Sequence, residues 1–189
     1  TLSGYYIGKY EVTQAEWKAV MGKNPSKFKG VNRPVEKVSW EDCQEFIRKL
    51  NSLTGLNFTL PTEAQWEYAA RGGRNSRGYK YSGSNDLSTV AWYTDNSGRE
   101  THPFGMKQAN ELGLYDMSGN VWEWCSDWDG GYSSSSQTNP AGASSGYHRM
   151  LRGGGCWYVA ECCRVSVRHS NPPGERYHNY GLRLVAVSE

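Results

Sequence analysis

The sequence has no long apolar run and few of the residues that usually build a protein core. Leu, Ile, Val and Phe together number 29 of 189, about 15%, a fraction typical of disordered chains. The longest uncharged stretches are rich in Ser and Gly, as in Gly130–Ser136, so no segment of this sequence can span a bilayer. The charge is nearly balanced, with 21 Lys and Arg against 19 Asp and Glu. This balance argues against a dedicated nucleic-acid binder, which displays a dense basic patch.

Metal-binding motifs are also missing. The cysteines fit no C-x-x-C zinc spacing, and the four histidines include no H-E-x-x-H pattern. Metalloenzymes of these types are therefore excluded. One cysteine falls in a helical apolar stripe, where it is predicted to be a small buried residue. The cysteines are Cys43, the one in the stripe, and Cys125, Cys156, Cys162 and Cys163.

What the sequence does have is aromatic residues. Its 8 Trp, 13 Tyr and 4 Phe provide a large buried area from few side chains. They reverse the indication of disorder, and the length suits a single domain. The composition therefore predicts one compact, loop-rich domain with an aromatic core, over residues 1–189.

Three helices are predicted in the first third of the chain. Thr13–Glu16 and Thr62–Gln65 are capping boxes, which open the first and third helices. Ser39 opens the second helix and Gly55 ends it. The apolar stripe of this second helix consists of Trp40, Cys43, Phe46, Ile47, Leu50 and Leu53.

Strand patterns are fewer and shorter. Alternating or β-branched runs predict strands at Tyr5–Tyr10, Asn57–Leu60, Arg149–Leu151, Arg164–Arg168 and Leu182–Val187. No periodicity extends over more than about six residues between Gly73 and Tyr147, where four tryptophans indicate packed irregular structure. Within that stretch, Gly130–Gly146 is predicted to be a surface loop.

Five strings of residues, in this order and spacing, resemble one known family. They are Tyr10–Gln14, Leu60–Gly72, Gly113–Trp124, Leu151–Gly154 and Gly181–Leu184. Together they resemble the formylglycine-generating enzymes, also called sulfatase-modifying factors, over almost the whole chain. The resemblance implies the α+β, C-type-lectin-like fold in its enlarged form. We therefore expect little regular structure, a small twisted antiparallel sheet, flanking helices and long ordered loops.

The catalytic residues of that family match less well. Active members oxidise a substrate cysteine with two cysteines that bind copper(I), an ion suited to soft thiolates. That pair follows a Gly-Gly-Ser string and has four residues between its members. Here Cys156 and Cys162 have five residues between them, and Cys156 lies too close to Gly153–Gly154. We predict no catalytic site, and Cys163 matches a structural cysteine of non-enzymatic relatives.

The tail, Arg152–Leu184, resembles the variable region of diversity-generating retroelement proteins, in particular the Treponema type. In those systems the adenines of a template repeat are randomised on copying, while a framework of residues stays fixed. The matching framework here is Arg152–Gly154, Cys163–Ser166, Arg168, Pro173, Arg176 and Gly181–Val185.

Residues between these framework positions are predicted to contact a ligand. Nearly all fall in the set that such copying permits, which excludes Trp, Met, Gln, Lys and Glu. Trp157, Glu161 and Glu175 lie outside that set. Trp157 is still included because Trp and Tyr provide rigid contact area at low entropic cost. The predicted ligand-binding residues, called the tail positions below, are Trp157, Tyr158, Val159, Cys162, Val167, His169, Ser170, Asn171, Pro172, Gly174, Tyr177, His178, Asn179 and Tyr180.

Other polar residues allow two interpretations. Asn120 and Glu123 correspond to a calcium position of the resembled enzymes, and oxygen ligands suit Ca²⁺. The alternative is that they only tie loops together by hydrogen bonds. Asp127 and Asp129 are predicted to be solvated. The framework arginines are predicted to bond internally; they are Arg164, Arg168, Arg176 and Arg183.

The leading hypothesis is a non-enzymatic binding protein that displays a hypervariable surface to an external ligand, either a protein or a cell-surface molecule. Nucleic acid is not an expected partner. We expect a location at the bacterial cell surface or in the periplasm, as a lipoprotein whose N-terminal signal precedes Thr1. The first alternative is a formylglycine-generating oxidase. The second is a structural or regulatory member of the same family whose tail does not vary.

Overall fold

A computed structural model describes residues 1–187. Within this range the chain forms four α-helices, seven strands and two 3₁₀ turns. The helices are α1 (Gln14–Met21), α2 (Trp40–Thr54), α3 (Glu63–Ala70) and α4 (Leu87–Val90). The strands are β1 (Tyr5–Ile7), β2 (Phe58–Thr59), β3 (Trp122–Trp128), β4 (Arg149–Arg152), β5 (Arg168–Asn171), β6 (Tyr180–Gly181) and β7 (Val185–Val187).

The strands form two small sheets, so the fold is mixed α+β as predicted. In the first sheet β7 pairs antiparallel with both β1 and β2, which brings the two ends of the described chain together. The second sheet has the order β5-β4-β3-β6. Its β3 and β6 strands run parallel, with Trp122 opposite Tyr180, whereas its other pairs are antiparallel. The predicted sheet is therefore divided in two, and one pair is not antiparallel.

The three helices predicted from capping signals are confirmed. Thr13, Ser39 and Thr62 each accept a hydrogen bond from the third backbone amide of their helix, and each forms a complete capping box. The α2 stripe buries Cys43 and Phe46. Leu53 was wrongly placed in that stripe, since it is 70% exposed; the last turn of α2 extends past the core.

Two strand predictions need correction. The segment Arg164–Arg168 is not a strand, because β5 begins at Arg168 and a 3₁₀ turn occupies Ala160–Cys163. The carbonyls of Val165 and Val167 accept hydrogen bonds from the Arg152 guanidinium instead of from a neighbouring strand. The predicted strand Leu182–Val187 is reduced to β7, because residues 182–184 have no strand pairing.

β3 is the element that sequence patterns missed. Its first four residues are all buried, including Glu123 between Trp122 and Trp124. Burial on both faces removes the alternation of apolar and polar residues that identifies a half-buried strand. The following Ser/Gly-rich loop is mostly exposed, as predicted for residues 130–146.

Candidate ligand-binding surface

The second sheet presents two chemically different faces. Because successive side chains of a strand point to opposite sides, His169 and Asn171 of β5 lie on one face and Arg168 and Ser170 on the other. The register pairs Leu151 with His169 and Arg152 with Arg168. We call the His169 side the ring face and the Arg168 side the charge face.

On the ring face, aromatic rings of the tail pack on two buried tryptophans of β3. The ring centroids of Tyr158 and His169 lie 5.3 and 5.0 Å from that of Trp122. The Tyr180 ring lies edge-on to Trp124 at 5.4 Å. Tilted and edge-to-face pairs of this kind stabilise beyond the area that they bury. The tail is therefore fixed on a rigid aromatic base.

Polar groups connect the same rings. The Tyr180 hydroxyl accepts a hydrogen bond from Asn171 Nδ2 at 2.5 Å and lies 3.0 Å from His169 Nε2. Burial lowers the pKa of His169 and raises the pKa of Tyr180, so both side chains are neutral near pH 7. The centre of the ring face is thus uncharged, and it offers hydrogen bonds as well as aromatic contact.

The ring face extends toward solvent through three more side chains, those of Trp157, Tyr177 and His178. Trp157 and Tyr177 are 39% and 45% exposed. The Tyr177 ring contacts Tyr180 with centroids 5.0 Å apart, and the Trp157 ring contacts His178 with centroids 4.6 Å apart. Aromatic side chains held by such contacts lose little conformational entropy on binding.

Most tail positions reach solvent, with three departures from the prediction. Asn179 and Tyr180 are buried, at 5% and 2% exposure, because β6 pairs with β3 in the core. Ser170 is half-buried but lies on the charge face, where its hydroxyl donates to Asp129 Oδ2. The exposed tail positions are Trp157, Val159, Pro172, Gly174 and Tyr177; the half-buried ones are Tyr158, Cys162, Val167, His169, Ser170, Asn171 and His178.

On the charge face, arginines of β4 and β5 pair with carboxylates of α3. Arg168 donates from Nε and Nη2 to the two carboxylate oxygens of Glu63, each at 2.7 Å. The fully buried Arg152 pairs with Glu67 and donates to backbone carbonyls. Paired guanidinium–carboxylate groups of this type hold loops in a single geometry.

Framework arginines bond internally, as predicted, with one exception. Arg176 makes two hydrogen bonds to the Asp42 carboxylate, at 2.6 and 2.8 Å. The Nε of Arg164 has no hydrogen-bond partner among the described residues. Asp127 was wrongly predicted to be solvated: it is 3% exposed, and its carboxylate accepts the Glu63 backbone N–H at the start of α3.

Glu123 is bonded to an arginine, and Asn120 to other polar groups. The Glu123 carboxylate accepts from Arg183 at 2.8 Å and from the Trp66 indole at 2.7 Å. Asn120 donates from Nδ2 to Glu11 and accepts from the His102 backbone N–H. These contacts match the hydrogen-bonding interpretation of both residues. Calcium binding at Asn120 and Glu123 stays a prediction.

The three cysteines of the tail face different surroundings. All five cysteines are free thiols. Cys162 packs against the cluster that contains Trp122, whereas Cys163 packs with Tyr81. Burial raises the pKa of Cys156 and of Cys163 to about 12, which opposes formation of a thiolate ligand. Cys162 lies in the 3₁₀ turn at Ala160–Cys163. The Cys156 thiol is buried, whereas the Cys162 thiol is half-buried.

Sequence reasoning missed three basic residues beside the tail. Lys27, Lys37 and Arg99 are exposed and belong to loops far from the tail in sequence. Lys27 and Arg99 approach the Trp157 ring, and the backbone N–H of Lys37 donates to the Tyr177 carbonyl. No local pattern indicates them, because only the tertiary fold brings these loops to the tail.

Known proteins resemble the chain in sequence and in fold. The sulfatase-modifying factor enzyme 1-like domain matches residues 1–187. The chaperone protein LppX of Paenibacillus barcinonensis is 41% identical over 178 aligned positions, covering 68% of this chain and 64% of that protein. The formylglycine-generating enzyme of Streptomyces coelicolor is 35% identical over 191 positions, covering 91% of this chain and 58% of that enzyme. The chain thus spans less than two thirds of either relative.

A solved structure also matches the whole chain. Treponema denticola variable protein 1 superimposes with a TM-score of 0.94 and 35% identity, covering 100% of this chain and 86% of that one. This agreement confirms the predicted fold class. In residues 1–187, no helix combines the length and apolarity that crossing a membrane requires.

Proposed function

The chain belongs to the sulfatase-modifying factor enzyme 1-like domain family, and on that premise we propose that it is a binding protein of this fold. Its tail positions present a changeable surface to an external ligand, and a retroelement diversifies them. The ligand is a protein or another cell-surface molecule. The 35% identity to Treponema denticola variable protein 1 over the whole chain supports this choice within the family.

One observation carries the proposal: the tail separates residues that hold the fold from residues that reach solvent. Arg168 is bound by Glu63 on the charge face, while the next residue, His169, lies on the ring face. Val159 and Tyr177 are 52% and 45% exposed. Substitutions at such positions leave the backbone unchanged, which allows specificity to vary at little cost in stability.

Sequencing of the gene tests the diversification. We expect reads from many independent cultures to differ at codons of the exposed tail positions, with substitutions that derive from adenines. The codons of Arg152, Arg168 and Arg183 should stay constant, as should the region that encodes α1–α3, which serves as the internal control. A nearby reverse transcriptase gene and a near-copy of the tail-encoding DNA are also expected. Uniform variation, or none, would favour a structural or regulatory role without a variable tail.

Display to an external ligand requires the surface to be accessible outside the cytoplasm. We therefore propose a location at the cell surface or in the periplasm. An antibody against the folded domain should label intact cells or, for a periplasmic protein, cells whose outer membrane has been opened. Labelling only after complete lysis would contradict this location.

The identity to the Streptomyces enzyme favours oxidase activity as the second candidate. We expect no activity, because the buried thiol of Cys156 has a pKa near 12 and resists the deprotonation that copper(I) binding needs. The test is incubation with copper(I), oxygen and a sulfatase peptide that contains cysteine, followed by mass spectrometry. Conversion of that cysteine to an aldehyde, lost in Cys162→Ser, would establish the oxidase instead.

A further inference from the structure

We propose that Lys27, Lys37 and Arg99 form a constant basic rim beside Trp157, which selects ligands with an acidic polypeptide segment. This inference rests on the proposed binding function and specifies the class of ligand. The three residues lie outside the tail, so they stay the same while the tail positions change. The rim therefore gives all variants of the tail the same preference for acidic ligands, while the tail positions determine which of these ligands binds.

Two cations of the rim approach the same ring. The Lys27 ammonium and the Arg99 guanidinium each lie 5.6 Å from the centroid of Trp157. Contacts at this distance are cation–π interactions, and they fix the position of both charges beside an indole that is 39% exposed. A ligand that contacts the exposed part of Trp157 therefore meets two positive charges at once.

The third cation belongs to the same region. The backbone N–H of Lys37 donates to the Tyr177 carbonyl at 3.0 Å, which holds this residue against the backbone of the tail. His178 senses the charges of two of these cations: burial and the charges of Lys27 and Lys37 lower its pKa. His178 is therefore neutral near pH 7, and the positive charge of the rim comes from the lysines and the arginine.

Among residues 1–187, no carboxylate oxygen lies within ion-pair distance of Lys27, Lys37 or Arg99. The nearby Glu36 is fully buried, and its carboxylate accepts the backbone N–H of Phe28. Burial raises the pKa of Glu36 to about 7, which reduces its negative charge. Unpaired cations on an interface favour a partner of opposite charge.

The arrangement favours a polypeptide over a sulfated polysaccharide. A polysaccharide of that kind presents closely spaced charges and requires a dense basic cluster. Here three separate cations border a broad surface of Trp, Tyr and His rings, the residue types that dominate protein–protein contacts. Carboxylates separated by apolar or aromatic residues on an extended segment match this spacing of charges and rings.

Binding of fluorescein-labelled poly-L-glutamate, measured by fluorescence anisotropy, tests the inference. The triple variant Lys27→Gln, Lys37→Gln, Arg99→Gln should bind about five- to tenfold more weakly, because three exposed ion pairs are lost. The matched control removes three other exposed charges without a carboxylate partner, in Lys18→Gln, Arg48→Gln, Arg74→Gln. Its affinity should equal that of the unmodified chain.

A second experiment locates the contact between poly-L-glutamate and the chain. In ¹H–¹⁵N spectra, the indole resonance of Trp157, assigned with Trp157→Phe, should shift on addition of poly-L-glutamate. Absence of binding, an equal loss in the control triple variant, or an unshifted Trp157 resonance would each overturn the inference. Heparin that binds through the rim where poly-L-glutamate does not would also overturn it, in favour of a polysaccharide. Codon variation in the tail is measured independently of these experiments. A negative result for the rim therefore leaves the proposed function intact, and a negative result for codon variation does not depend on the rim.

Discussion

The ring face and the charge face of the second sheet are built from the same strands but use opposite chemistry. On the ring face, His169 and Tyr180 are neutral and contact one another through a hydrogen bond and through their rings. On the charge face, Arg168 and Arg152 are bound by carboxylates of α3. Because side chains alternate along β5, adjacent residues of this strand lie on opposite faces.

The two faces differ in how much substitution they tolerate. A buried arginine with several specific partners allows little substitution, since losing one partner leaves a charge unpaired in the interior. A ring at the solvent boundary contributes contact area and has few obligatory partners. The exposed rings can therefore vary in sequence, whereas the neighbouring arginine–carboxylate network cannot. The following variants compare the two.

Removing Arg183 should have the largest effect. Arg183 and Glu123 are both fully buried, with Nη2 2.8 Å from Oε1. Arg183→Met leaves Glu123 unpaired in the interior, and we expect a loss of about 4–5 kcal/mol in the free energy of unfolding. Urea denaturation followed by circular dichroism measures it. Adding Glu123→Gln should recover part of the loss; a loss below about 1 kcal/mol in the single variant would refute the network's role.

Truncating the aromatic base of the ring face should cost nearly as much. Trp124 is 0% exposed, and its indole donates to the Val38 carbonyl at 3.0 Å. Trp124→Ala should lower the free energy of unfolding by about 3–5 kcal/mol, because it creates a large cavity and leaves that carbonyl without its donor. The same denaturation series gives the value. Near-native stability would mean that the tail rings do not depend on β3.

An intermediate effect should come from Glu36, and it depends on pH. Burial raises its pKa in the folded chain to about 7, above the ordinary 4.5. The folded state then holds a proton that the unfolded state has lost, so stability is highest below about pH 4.5 and falls as the pH rises to about 7. For this residue alone we expect a decrease on the order of 1–3 kcal/mol.

Glu36→Gln isolates this contribution. The amide keeps an oxygen that can accept the Phe28 N–H but does not titrate, so the variant should lose less stability between about pH 5 and pH 8 than the unmodified chain. Thermal melts across that range compare the two slopes. Equal slopes would show that Glu36 titrates normally.

The smallest effect is expected at the exposed end of the ring face. Tyr177 is 45% exposed, and Tyr177→Ala should change the free energy of unfolding by less than about 0.5 kcal/mol. His178→Ala should behave similarly, since the His178 Nε2 has no hydrogen-bond partner among the described residues. Tyr180→Ala is the contrasting variant: its ring is 2% exposed, and it should cost about 3–4 kcal/mol. Equal losses at Tyr177 and Tyr180 would place both in the core.

Much of the fold could be predicted from local sequence. The capping boxes at Thr13 and Thr62 depend on side chains within three residues of one another, so the helix starts are encoded locally. The family strings likewise predicted the fold class. The tail positions were predicted from the framework; Trp157 and Tyr177 are exposed, and ligand binding by the tail stays a prediction.

The remaining features could not be predicted, because they depend on residues far apart in the chain. Tyr180 looks like its neighbour Tyr177 in sequence, but pairing with β3 buries it. The carbonyls of Val165 and Val167 accept hydrogen bonds from Arg152, which is remote from them in the chain. Lys27 and Arg99 acquire a role only where folding brings them to Trp157. Sequence periodicity records which side of an element is apolar, but not which distant charge or strand will meet it.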